Sequence, residues 1–241
     1  MLNEAAIACA KDGRSFISQE DVDKSFIKLG IGKEKKSRIV SEHDRKITAY
    51  HEAGHAILFH VLPDVGPVHI VSIIPTGSGA GGYTMPISEK DDMYLTKGKM
   101  LQDITVDLGG RVAEELIFGD ITTGASQDIK QATALARAMV TQYGMSEKFG
   151  LMGLESRESM YLDNGSVLNC SDETASHVDE EVMRILKEAY EEAKRLLTEN
   201  RECLDQISAF LIEKETITGK EFMEIFHKVR DEANEYHQEE L

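Results

Sequence analysis

The chain has 241 residues, with 43 Asp plus Glu against 27 Lys plus Arg. Its net charge of −16 leaves no electrostatic drive toward a phosphate backbone and excludes nucleic acid as the main partner. Hydrophobic residues make up 41%, the balance of folded globular material, and no apolar run approaches the roughly 20 residues of a membrane-spanning helix. Cys9, Cys170 and Cys203 are odd in number and far apart, which fits free thiols rather than a disulfide framework.

Residues 1–32 read as two short helices. Leu2, Ala5, Ala6, Ile7 and Ala10 give the first a buried stripe, and Ser18 with Asp21 three positions on opens a second carrying Val22, Phe26 and Leu29. Neither buries its apolar face alone, so both must pack on something else. The charged stretch 33–45, with Lys33-Glu34-Lys35-Lys36-Ser37-Arg38, reads as an exposed linker, and the main domain is placed at 46–230. A strong helix runs from about Glu42 to Leu62, where Pro63 stops it. The period then changes. His69–Ile74 and Gly82–Met85 read as strands, each ended by a proline, with a glycine-rich connection between them.

Helices dominate the remainder, and these two runs are the only convincing strands. One helix is predicted from about Thr96 to Phe118, its Gly109-Gly110 pair allowing close approach of another helix. Another spans Ser126 to Tyr143, with Gly144 suited to a left-handed cap. Residues 145–170 lack periodicity and read as a long loop. Ser171 to Asn200 forms an extended helix, Leu204 to Leu211 marks the next, and Thr218 with Glu221 makes a capping box for the last. Residues 231–241 are acidic and expected to fray. The fold class is therefore mainly α with a small two- to three-stranded β element.

On the first long helix stands His51-Glu52-Ala53-Gly54-His55, an HExxH. Positions four apart share a helix face, so both imidazoles can reach one Zn²⁺. Glu52 sits beside the first ligand without binding the ion, placed to take the proton of a water that zinc acidifies. Gly54 costs roughly 1 kcal/mol relative to Ala in a helix, which points to a close approach by another segment. A catalytic zinc needs a third protein ligand and an open fourth position. No HxxGxxH extension follows, and His60 lies roughly 140° around the helix from His55. Glu114 and Glu115, on an apolar helix, and Asp128, in the first turn of the next, are the candidates, and residue chemistry does not choose between Asp128 and Glu115.

The chain resembles the peptidase domain of the FtsH family of membrane-bound ATP-dependent zinc proteases. The resemblance rests on Thr48–Ala56 around the HExxH, Ile74-Pro75 to Thr84, Gly110–Glu115, Thr123-Gly124-Ala125 to Asp128, and Tyr143–Ser146, five ordered blocks covering nearly the whole chain. It implies a helical zinc-peptidase domain with one Zn²⁺ held by His51, His55 and Asp128, Glu52 as general base, and Glu115 as a candidate to orient a ligand imidazole. It also suggests that Gly82, Tyr83 and Thr84 bind a polypeptide substrate as an added strand. Residues 1–32 resemble the end of the helical lid of a preceding AAA ATPase module. No GxxxxGK[ST] occurs, so ATP enters only through a missing module, and the chain is expected to be a soluble fragment able to cut accessible peptides. The full-length protein is expected to form a homo-hexameric ring at the cytoplasmic face of the cell membrane, anchored by absent N-terminal spans. Thr76 departs from the basic residue common after Ile-Pro in the family, and Gln127 from the usual Asn.

Overall fold

Ser41 begins the main helix by accepting, through its hydroxyl, the Asp44 backbone N–H at 3.0 Å. Helix α3 (Glu42–Val61) follows, and α1 (Leu2–Lys11) and α2 (Gln19–Gly30) precede it. The computed structural model describes residues 1–30, 32, 40–77, 80–87, 93–157 and 166–239. The charged run 33–39 lies outside the described residues, and α3 starts at Glu42, as the sequence predicts. α1 and α2 pack on each other through buried Ala5 and Cys9, and Arg14 reaches Asp21 across the turn at 2.7 Å.

Beyond α3 come β1 (Val68–Ser72) and β2 (Tyr83–Pro86), then α4 (Lys97–Asp107), α5 (Gly109–Phe118) and α6 (Ser126–Thr141). A hairpin, β3 (Glu155–Arg157) with β4 (Ser166–Leu168), leads into α7 (Asp172–Glu199) and α8 (Arg201–Lys214). β5 (Thr216–Thr218) and α9 (Gly219–Glu239) complete the described chain. The principal sheet has the order β2-β1-β5, antiparallel throughout, with Ser72 opposite both Tyr83 and Thr216. β2 is thus an edge strand.

Two expectations are corrected. The helix expected over 96–118 is two helices, broken at Leu108, because the Gly109-Gly110 backbone turns up against α3. A Cβ on Gly54 would lie 2.7 Å from the Gly109 carbonyl oxygen and one on Gly109 2.7 Å from Leu58 Cδ1, so only glycines permit this contact. β3 and β4 lie in the segment read as loop, and β5 supplies the third strand of the small sheet. Each has three residues, too few to show a period of two. The acidic tail continues α9 as far as Glu239.

Burial falls into two clusters bridged by α7. Its Val178, Val182 and Ile185 pack with Met100, Ile104 and Met139 of α4 and α6, while Ala193 and Leu197 join α3, α8 and α9. The first turn of α6 approaches the HExxH face of α3 through Asp128.

The capping box of α9 forms as expected: the Thr218 N–H donates to Glu221 Oε2 at 2.9 Å and the Glu221 N–H to Thr218 Oγ1 at 3.3 Å. The Thr218 amide and then the Lys214 ammonium pull the Glu221 carboxyl from its ordinary 4.5 to about 2. A depressed acid stabilises the fold above its unfolded pKa and loses that contribution as pH falls through its folded one. Glu221→Ala is expected to cost about 1 kcal/mol at neutral pH by denaturant unfolding. The difference from the parent should shrink between pH 4.5 and 2.

Candidate metal centre

α3 places His51 and His55 one turn apart, with ring centroids 4.8 Å apart. The two Nε2 atoms approach to 3.1 Å, and Asp128 Oδ2 lies 3.3 Å from His51 Nε2 and 4.0 Å from His55 Nε2. Donor atoms about 2.0–2.1 Å from one tetrahedral zinc lie about 3.3 Å apart, so this two-nitrogen, one-oxygen set fits that ion and leaves a corner open. The other ring nitrogens are already engaged: His51 Nδ1 meets Glu114 Oε1 at 2.8 Å and His55 Nδ1 meets the Val106 carbonyl at 2.7 Å. Both rings therefore present Nε2 to the shared point. The break after Asp107 contributes here, since Val106 falls in the last turn of α4, where helix carbonyls are open to other donors. Asp128 sits in the first turn of α6, where a carboxylate complements the helix dipole.

The electrostatics separate the groups. Burial favours the neutral form of both histidines. At His51, hydrogen bonds to Asp128 and Glu114 outweigh it and raise the pKa to about 10. At His55, burial and then the charged neighbouring ring hold it down, to about 4. Glu52 is buried beside them, and burial lifts its carboxyl to about 7. Its Oε2 accepts from Thr84 Oγ1 at 2.8 Å, and the same hydroxyl lies 3.0 Å from the Glu52 carbonyl oxygen.

Thr84 belongs to β2, so the sheet edge and Glu52 are in direct contact. Gly82, just before the strand, leaves no room for a side chain: a Cβ there would lie 2.6 Å from the Ser72 carbonyl oxygen and 2.9 Å from Glu52 Oε1. Tyr83 is buried. His60, set aside from the sequence as a ligand, packs against Phe226 with ring centroids 4.3 Å apart.

Glu115 does not reach the histidines. Its carboxylate is bonded to the Tyr190 hydroxyl and, at 2.9 Å, to Lys194 on α7. The carboxylate orienting His51 is the fully buried Glu114. The physical reason is helix phase: Gly110 faces His51, and the residue one turn later on that face is Glu114, with Glu115 a further 100° around. That glycine was the available signal. Glu114→Ala is expected to weaken zinc affinity by roughly 10- to 100-fold, and Glu115→Ala to leave it unchanged, as read by competition with a chromophoric chelator.

A helix-borne HExxH that receives its third donor from a separate helix, with a buried glutamate beside the pair and a sheet edge against it, defines a metallopeptidase domain. Residues 38–225 match peptidase family M41, and the chain belongs to that family. It is 48% identical over 235 residues to the ATP-dependent zinc metalloprotease FtsH of Clostridium perfringens, which covers 98% of this chain and 33% of the relative. It is 46% identical over 230 residues to ATP-dependent zinc metalloprotease FtsH 1 of Thermoanaerobacter sp., covering 94% of this chain and 38% of that one. To the FtsH of Thermus thermophilus it is 43% identical over 235 residues, with 98% and 37% covered. The chain thus spans about a third of the length of these curated relatives. Among the described residues, no helix is long and apolar enough to cross a membrane.

Proposed function

We propose that this chain is a zinc endopeptidase domain that hydrolyses peptide bonds of unfolded or membrane-extracted polypeptides. In a longer protein it would be fed by an adjoining AAA ATPase, of whose helical lid residues 1–32 are the end, and 46–230 form the peptidase proper. The observation that carries this reading is the convergence of His51, His55 and Asp128 on one point beside the buried carboxylate of Glu52.

His51, His55 and Asp128 would hold the zinc. When bound, that ion polarises the scissile carbonyl and acidifies the attacking water. Glu52 takes the proton of that water as it attacks and returns it to the leaving amine. Thr84 fixes Glu52 through Oε2, and a side chain at Gly82 would crowd Oε1, the oxygen left to meet the water. Burial makes Glu52 a stronger base than a solvent-exposed carboxylate, and a dication beside it draws that value back toward the acid side. The substrate adds as a strand along the outer edge of β2 at Gly82, Tyr83 and Thr84, where main-chain hydrogen bonds ignore side-chain identity. The same reading extends to a homo-hexameric ring of the longer protein, anchored by N-terminal membrane spans, with this peptidase domain at the cytoplasmic face.

The test is zinc content measured beside casein cleavage. About one zinc per chain, cleavage lost on chelation and regained on adding zinc are expected. Cleavage that survives complete removal of metal overturns the reading.

A further inference from the structure

The segment Gly110–Glu114 touches more of the site than a ligand-orienting carboxylate requires. Glu114 uses both oxygens: Oε1 faces His51 Nδ1 at 2.8 Å, and Oε2 accepts the backbone N–H of Thr122 at 2.8 Å. One turn earlier, the Arg111 guanidinium donates to the carbonyl oxygen of the same Thr122 at 2.9 Å. The Thr122 hydroxyl then accepts the Gly124 N–H at 3.0 Å, two residues before α6 begins. Thr122 is thus gripped at its amide and at its carbonyl by side chains of α5, and the turn it opens leads directly to Asp128.

We propose that Arg111 is a positioning residue for the metal centre, acting with Glu114 through Thr122 to set Asp128 against the two imidazoles. Asp128 is the one ligand that α3 does not carry. Its distance from His51 depends on how the 119–125 turn sits on α5, and two hydrogen bonds from a rigid helix fix that seat. Glu114 joins the two halves physically, since a single buried carboxylate bonds the ring of one ligand and the backbone that leads to another. Arg111 holds the far side of that residue and touches no ligand.

A guanidinium suits this position because its planar fork keeps a fixed direction, whereas a lysine ammonium is a point donor on a flexible stem. The role is therefore geometric. Losing the contact leaves all three ligands present and raises the conformational cost of bringing Asp128 to the ion.

The inference rests on the zinc-site reading above, and the experiment separates the two. Zinc affinity of the full chain is measured by chelator competition for the parent, Arg111→Gln, Arg111→Lys and Arg111→Ala, beside amide hydrogen exchange over 119–128 in the metal-free state. Arg111→Gln and Arg111→Ala are expected to bind zinc roughly 10- to 100-fold more weakly, with faster exchange in that segment, and Arg111→Lys to recover part of the loss. Thermal melting of the metal-free proteins identifies any variant that fails to fold. Arg111→Gln is the milder change and carries the result if Arg111→Ala unfolds. Parent-like affinity and exchange in folded Arg111→Gln overturn the role of Arg111 alone, whereas a parent chain that holds no zinc overturns the underlying site.

Discussion

Glu52→Gln is expected to keep zinc at the parent stoichiometry and to lower peptide hydrolysis by a factor of about 10²–10⁴. Glutamine preserves shape and volume and can still accept from Thr84 through its amide oxygen, so the β2 edge stays seated on α3. What it loses is a site for a proton. The carboxylate is buried beside the ligand pair, and burial raises its proton affinity above that of a solvent-exposed carboxylate. None of the donor atoms that converge on the metal point belongs to Glu52, so its replacement removes chemistry and leaves binding. The measurement is the cleavage rate of a quenched fluorescent peptide at saturating zinc, alongside metal content. Parent-like turnover by a zinc-loaded Glu52→Gln chain assigns the base elsewhere, and loss of zinc in that variant shows Glu52 holding the site together.

The parts of this site legible in the sequence are those that depend on neighbours along one helix. His51, Glu52 and His55 declare themselves because a spacing of four has only one meaning on a helix. Thr218 and Glu221 are readable for the same reason, since a capping box is closed within four residues. What escapes is set by packing between elements. The break at Leu108 is written nowhere in the period of Ile104, Leu108 and Val112, which runs straight through it; it follows from Gly54 meeting Gly109. The Val106 carbonyl that orients His55 is a backbone atom of another helix and carries no residue signature. Glu114 and Glu115 are chemically identical, and choosing between them requires the face of α5 that meets α3, for which Gly110 is the only local clue. β5 becomes a strand because β1 offers it an edge, a long-range cause that three residues cannot display.

Gly110→Ala is expected to lower zinc affinity by at least about 100-fold, equivalent to about 2.8 kcal/mol, and to destabilise the metal-free fold by about 1–3 kcal/mol. A Cβ at Gly110 would lie 2.4 Å from both His51 Cε1 and Nε2 and 2.6 Å from Cδ2, so it would occupy space the ring already fills. The ring has little room to yield. Its side chain is 12% exposed, Nδ1 is tied to Glu114, and rotating away breaks that bond as well as withdrawing Nε2 from His55 and Asp128. α5 can retreat only by giving up the close approach of Gly109 to Gly54 and Leu58 of α3. Gly153→Ala is the matched control, since a Cβ there meets nothing within 4 Å. Chelator competition and denaturant unfolding of the metal-free chain read the two effects separately. A Gly110→Ala protein that binds zinc like the parent would place the His51 ring somewhere other than against α5, and with it the geometry that unites the two ligand-bearing helices.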